Sequence, residues 1–156
     1  MKEDERAIEG LPLKLLIIAV VLAIALPMVY SSIRYYDTQR LKQDVESQAE
    51  FIGSKARQLR VHGEGNSEVI NIDIRDGLFR SVEFLEIGNE TFRDRIRWSV
   101  EGQGDSHHRI EGDVNLVSDD GPLMLREGEH RLRLECKFGE VNGSEEDMLY
   151  IKIERL

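Results

Sequence analysis

The sequence predicts an α+β protein: a long N-terminal helix, hydrophobic then amphipathic, followed by a small antiparallel β-sheet or β-sandwich head. Three observations predict it. Leu15–Val29 carries no charged or strongly polar side chain. From Ile33 to Leu59, apolar residues recur at spacings of three to five, as one face of a helix does. From Ile70 to Ile153, the period switches to two, the signature of half-buried strands. Average figures conceal this segregation, because 40% hydrophobic and 33% charged residues would suit an ordinary soluble domain.

The first element is an apolar helix over 11–30. Twenty helical residues rise about 30 Å, the thickness of a bilayer's hydrocarbon core. Pro12 falls where a first helical turn tolerates proline, and Lys14 can extend its ammonium to the interface. Tyr30 suits the opposite interface. Pro27 removes one backbone donor and is expected to kink or loosen the helix. A cleaved secretory signal fits poorly: the leader Met1–Gly10 is mostly acidic, and Pro27–Tyr30 offers no small-residue cleavage pattern. Basic residues flank the span almost equally (Lys2, Arg6 and Lys14 against Arg34, Arg40 and Lys42), so charge alone does not orient it.

The second element is the amphipathic stretch. Ile33, Tyr36, Leu41, Val45, Ala49, Ile52, Ala56 and Leu59 form its stripe, with Arg34, Asp37, Arg40, Asp44, Glu46 and Glu50 between them. Gly53 reads as a soft spot costing about 1 kcal/mol relative to alanine. Heptads are not sustained, so a coiled coil is not expected.

The run Arg6-Ala7-Ile8-Glu9-Gly10-Leu11-Pro12-Leu13-Lys14 joins a short charged leader to an apolar helix that continues into an amphipathic one. It resembles the leader junction of archaeal type IV pilin-like proteins, which carry a class III signal peptide. Glu9 stands where a basic residue is common in that family, and Leu15 stands where many members carry glutamate. The resemblance implies cleavage between Gly10 and Leu11 by a prepilin-type peptidase on the cytoplasmic side. It also implies a head outside the cell and self-association through the N-terminal helix. The expected organisation is a leader (1–10), a transmembrane or filament-core helix (11–30), an amphipathic stalk (31–60), a linker (61–67) and an antiparallel β head (68–156).

The head is read from its alternation. Ile70, Ile72 and Ile74 make one run; Val82 and Phe84 begin another, whose phase slips at Leu85 and Ile87 as at a bulge. Ile96, Trp98 and Val100 alternate, Ile110, Val114 and Leu116 form a looser run, and Leu132, Leu134, Cys136 and Phe138 form the cleanest. Leu149, Ile151 and Ile153 close the series. Glycine-bearing turn signals separate the runs, including a hairpin expected at Glu127-Gly128 between Leu125 and Leu132.

Charge and chemistry narrow the function. Residues 61–156 carry 12 Lys or Arg against 22 Asp or Glu, a net of −10, which argues against nucleic acid as a partner. Membrane lipid is the expected partner of the apolar helix. Cys136, the one cysteine, cannot form an internal disulfide and reads as a small buried hydrophobe. His107 and His108, near Asp105 and Asp113, read as a polar loop; adjacent histidines on a strand would face opposite ways and could not share a metal ion. Asp119-Asp120-Gly121 lacks the spacing of a calcium loop and reads as a turn, and Glu145-Glu146-Asp147 reads as a charged loop. No nucleophile–base spacing, phosphate loop or dinucleotide fingerprint is present, so neither an enzyme nor a cofactor or metal site is expected. Asn89-Glu90-Thr91 and Asn142-Gly143-Ser144 are N-glycosylation sequons in expected turns.

Three readings remain: a pilin or minor pseudopilin subunit of a surface filament, a single-pass anchored β-domain that binds a partner without polymerising, and, ranked last, an anchored domain facing the cytoplasm.

Overall fold

The computed structural model describes residues 3–141 and 147–156, with side chains from residue 12 onward. One helix, α1 (Glu3–His62), is followed by eight strands: β1 (Ser67–Ile74), β2 (Val82–Ile87), β3 (Arg95–Val100), β4 (Ser106–Arg109), β5 (Leu116–Val117), β6 (Leu123–Leu125), β7 (Gly128–Glu140) and β8 (Asp147–Arg155). The chain divides into two compact units, the first ending at Tyr36 and the second running from Asp37 to Leu156.

The first unit is helix throughout its described length. It continues through Pro12 and Pro27, and the hydroxyls of Ser31 and Ser32 both donate to the Met28 carbonyl, at 3.0 and 2.8 Å. Those two serines therefore satisfy their polar atoms within the helix, and the stretch without a charge extends from Leu15 to Ile33. Its large apolar side chains are exposed along the whole segment. Ile33 and Tyr36, expected in the amphipathic stripe, are among them at 46% and 71% exposure. The apolar cover of the helix begins only after Asp37.

In the second unit, the strands form two four-stranded sheets, ordered β1-β7-β8-β5 and β4-β3-β2-β6. Pairing is antiparallel except for the short β5–β8 contact, where Leu116 lies beside Ile151 in parallel register. Leu41, Val45, Ala49, Ile52, Ala56 and Leu59 of α1 share one hydrophobic cluster with the inward residues of both sheets. Burying each large aliphatic side chain there contributes about 1.5–3 kcal/mol, so the helix is the spine of the head rather than a free stalk. Gly53, the expected soft spot, is buried within this face.

The helix ends where glycine allows it. The Gly63 amide donates to the Leu59 carbonyl at 3.1 Å with φ of 87°, the left-handed closure that glycine adopts at no steric cost. Asn66 caps the His62 and Gly63 carbonyls with its amide. The connection thus spans 63–66.

Four local expectations are corrected. His107 and His108 lie on β4, not in a loop. The looser run Ile110–Leu116 is not one strand. Gly112 and Asp113 take φ of 90° and 56°, which interrupts extended backbone, so Ile110 and Val114 are buried from a connection. Glu127-Gly128 does not close a hairpin, because Leu125 belongs to one sheet and Leu132 to the other. There the chain changes sheets, helped by Gly128 with φ of 129° and by a 2.7 Å bond between His130 Nε2 and the Arg126 carbonyl. Phe138 is 54% exposed, since it pairs with Leu149 toward the outer end of the β7–β8 hairpin, past the last core position at Cys136.

Candidate functional site

The outer face of β2, β3 and β4 gathers charged, aromatic and imidazole side chains. Strand alternation places Ile96 and Trp98 in the core and Arg95 and Arg97 outside. Register sets Arg97 opposite both Glu86 of β2 and His107 of β4, and Arg95 opposite Arg109. The segment between β2 and β3 adds Phe92, whose ring lies 4.9 Å from the Arg95 guanidinium and 5.7 Å from that of Arg97.

Charges on this face are arranged in pairs. Arg97 Nη1 sits 3.0 Å from Glu86 Oε2, and its Nη2 sits 2.9 Å from Asp105 Oδ2. Asp94 is held between Arg95 and Arg109, each Nε 3.0 Å from one of its oxygens. The hydrogen bond from Arg95, reinforced by the charges of Arg95 and Arg109, holds the Asp94 carboxyl below the usual range against the opposing effect of burial. Phe92, Arg95, Arg97, Asp105, Ser106 and His107 line a shallow cavity of about 230 Å³. Such a set offers fixed guanidinium planes around an aromatic ring, suited to a planar or carboxylate-bearing group of a partner.

The slipped phase on β2 is a true irregularity: Val82 pairs with Val100, yet Phe84 pairs with Ser99. That shift turns Leu85 and Ile87 inward and leaves Glu86 beside Arg97. Glu86 is nevertheless buried, because Arg97 and the Asn89 amide, 2.9 Å away, cover it.

The remaining singled-out residues fall as follows. Gly10 and Leu11 lie within α1. Asn89 spends its Nδ2 on Glu86, while its Oδ1 accepts the Thr91 amide at 2.9 Å. Asn142, Glu145 and Glu146 lie outside the described residues. His107 points outward into the cavity, whereas His108 faces Gly53 of α1. Asp119 is tied to Lys152 Nζ at 2.5 Å, and Glu154 to the same nitrogen at 2.6 Å. Those hydrogen bonds raise the lysine's pKa and lower that of Glu154. Cys136 is fully buried, and desolvation pushes its thiol up. Among the described residues, no group of three or more His, Cys, Asp or Glu side chains converges as metal ligands would.

Two features escaped sequence reading. Asp37, buried on α1, accepts the Leu78 and Phe79 amides on its two carboxylate oxygens, each at 2.9 Å. Phe92 is separated from the strands by turn residues, so alternation gave no signal for it.

Among the described residues, one helix is long and apolar enough to cross a membrane. No curated protein matches it, and no solved structure does. A family model described as a domain of unknown function (DUF7311) matches residues 16–144, from the apolar helix through most of the head. The chain belongs to that family.

Proposed function

We propose that the chain is a membrane-anchored structural subunit, pilin or minor pseudopilin, of a type IV pilus-like archaeal surface filament. Its N-terminus is cytoplasmic and its head extracellular, and its role is assembly rather than catalysis. One observation carries this reading: α1 changes its environment part-way along. From Asp37 onward it is the spine of a packed head, whereas from Pro12 to Tyr36 its large apolar side chains are exposed. Leu, Ile, Val and Ala at that density require lipid or other apolar helices, and the same surface serves in both. A subunit stored in the membrane and then bundled with copies of itself needs that property.

Intact mass and N-terminal sequencing of the protein from its native membrane test this. A mature start at Leu11 supports processing by a prepilin-type peptidase. An intact Met1 overturns the filament reading.

The alternative is an anchored β-domain that binds a partner without polymerising. The Phe92–Arg95–Arg97 cavity favours it, because a fixed aromatic–guanidinium surface is suited to recognition. With Met1 retained, this becomes the working model.

A further inference from the structure

We infer that the cavity on the outer face of β3 and β4 takes one hexuronate ring, a sugar acid that is either free or a unit of an acidic glycan. The inference rests on the recognition role given to that cavity above, not on whether the chain polymerises.

The cavity is small, and its walls are fixed before any ligand arrives. Its volume of about 230 Å³ lies below the roughly 300–1,000 Å³ of sites that bury drug-sized ligands, so it suits a single ring. Arg97 is held on two sides, by the buried Glu86 at 3.0 Å and by Asp105 at 2.9 Å. Arg95 is forked onto Asp94 through Nε and Nη2. Side chains already held in place lose little entropy on binding.

The wall chemistry selects the ligand by what each class would leave unpaired. Residues 92–109 carry four arginines against three acids, a local +1 within a region, 61–156, at −10. A single negative charge is therefore accepted here better than on the head's average surface. A guanidinium has five N–H donors and the Asp94 fork engages two of Arg95's, so the same side chain can hold a second carboxylate. A phosphate dianion is disfavoured, because Glu86 and Asp105 already lie on Arg97 and repel a second full charge. A carboxylate on a purely apolar ring would desolvate Asp105, whose side chain is 55% exposed, without giving it a donor. Sugar hydroxyls donate to Asp105, and they both donate to and accept from Ser106 and His107. The C–H face of the ring packs against Phe92, which Arg95 and Arg97 brace at 4.9 and 5.7 Å. Carboxylate, hydroxyls and one apolar face occur together on a hexuronate.

The test titrates the full chain in detergent micelles with sodium galacturonate, read by NMR shifts, with galactose and sodium acetate as controls. The expected result is a dissociation constant of about 1 mM or tighter for galacturonate, with galactose and acetate at least about tenfold weaker. Shifts should centre on Phe92, Arg95 and His107. Arg95→Lys keeps a cation beside Asp94 but loses the fork, and is expected to weaken binding at least about tenfold with the thermal melt unchanged. Phe92→Leu gives a second readout, a loss of at least about threefold, should Arg95→Lys fail to fold. Trigalacturonate binding more tightly than the monomer assigns a glycan, and equal affinity assigns the free sugar; either sustains the inference. Galactose or acetate matching galacturonate overturns it and leaves the recognition role of the cavity standing. No shift at the cavity with any probe also overturns it, and if the mature chain starts at Leu11 the recognition reading falls as well.

Discussion

Gly53 faces Ile110 so closely that a Cβ on the glycine would lie 3.3 Å from Ile110 Cγ1, with His108 ring atoms at 3.6 Å. Helix propensity alone favours alanine over glycine by about 1 kcal/mol. The tight contact opposes that gain, so Gly53→Ala is expected to change unfolding free energy by less than about 1 kcal/mol. Gly53→Leu overpacks the same point and is expected to cost about 2–3 kcal/mol. Urea unfolding of the detergent-solubilised chain measures both, and a clear stabilisation by leucine would contradict the packing described.

Arg97 and Glu86 form the innermost ion pair of the outer β face, at 3.0 Å with the carboxylate buried. Removing only the guanidinium strands a buried charge, and Arg97→Met is expected to cost about 2 kcal/mol. Adding Glu86→Gln should recover part of that loss, so the double variant is less destabilised than the sum of the two singles. A double-mutant cycle reads the coupling directly, and strict additivity would deny it.

Asp94 provides a pH signature. Its carboxyl is held below the ordinary value of about 3.9. The folded state therefore binds this proton less tightly than the unfolded chain does. The resulting stability is fully present above that ordinary value and is lost as pH falls through the lowered one. Asp94→Asn is expected to cost about 1 kcal/mol at neutral pH. The difference from the unsubstituted chain should shrink as the pH of a thermal melt is lowered below about 4. A gap that widens in acid would reverse the sign of the argument.

Cys136 is expected to be inert while the protein is folded. Its side chain is fully buried in the core on β7, and desolvation disfavours the thiolate that reacts. Reaction with an aromatic disulfide reagent should be at least about 100-fold slower in native buffer than in denaturant, following global opening. Comparable rates in the two would place the sulfur at the surface.

Much of the fold was legible because burial imposes periods on sequence. Ile70, Ile72 and Ile74, or Leu132, Leu134 and Cys136, announce strands without knowledge of their neighbours, since a sheet with one wet face needs alternation. The β2 phase slip even disclosed an irregular pairing. Where period was absent, so was the signal. Ile110 and Val114 are buried from a connection whose backbone Gly112 and Asp113 break. Leu125 and Leu132 look like hairpin partners although they lie in different sheets. The outer face of β2, β3 and β4 was illegible for a related reason: Arg97 read as a solvated alternate and His107 as part of a polar loop, and only strand register brings them together beside Phe92.

By itself, then, the sequence determined an uncharged helix long enough for a bilayer, an amphipathic continuation and a β head with polar outer positions. These follow from local periodicity and from the free energy of apolar burial, which act residue by residue. Tertiary structure decided that the amphipathic half is the core of the head, and that Gly53 is there for close approach. It also decided that Asp37, read as one polar residue among many, fastens a loop forty residues away. Those outcomes depend on which surfaces meet, and contacts between distant segments leave no period in the chain.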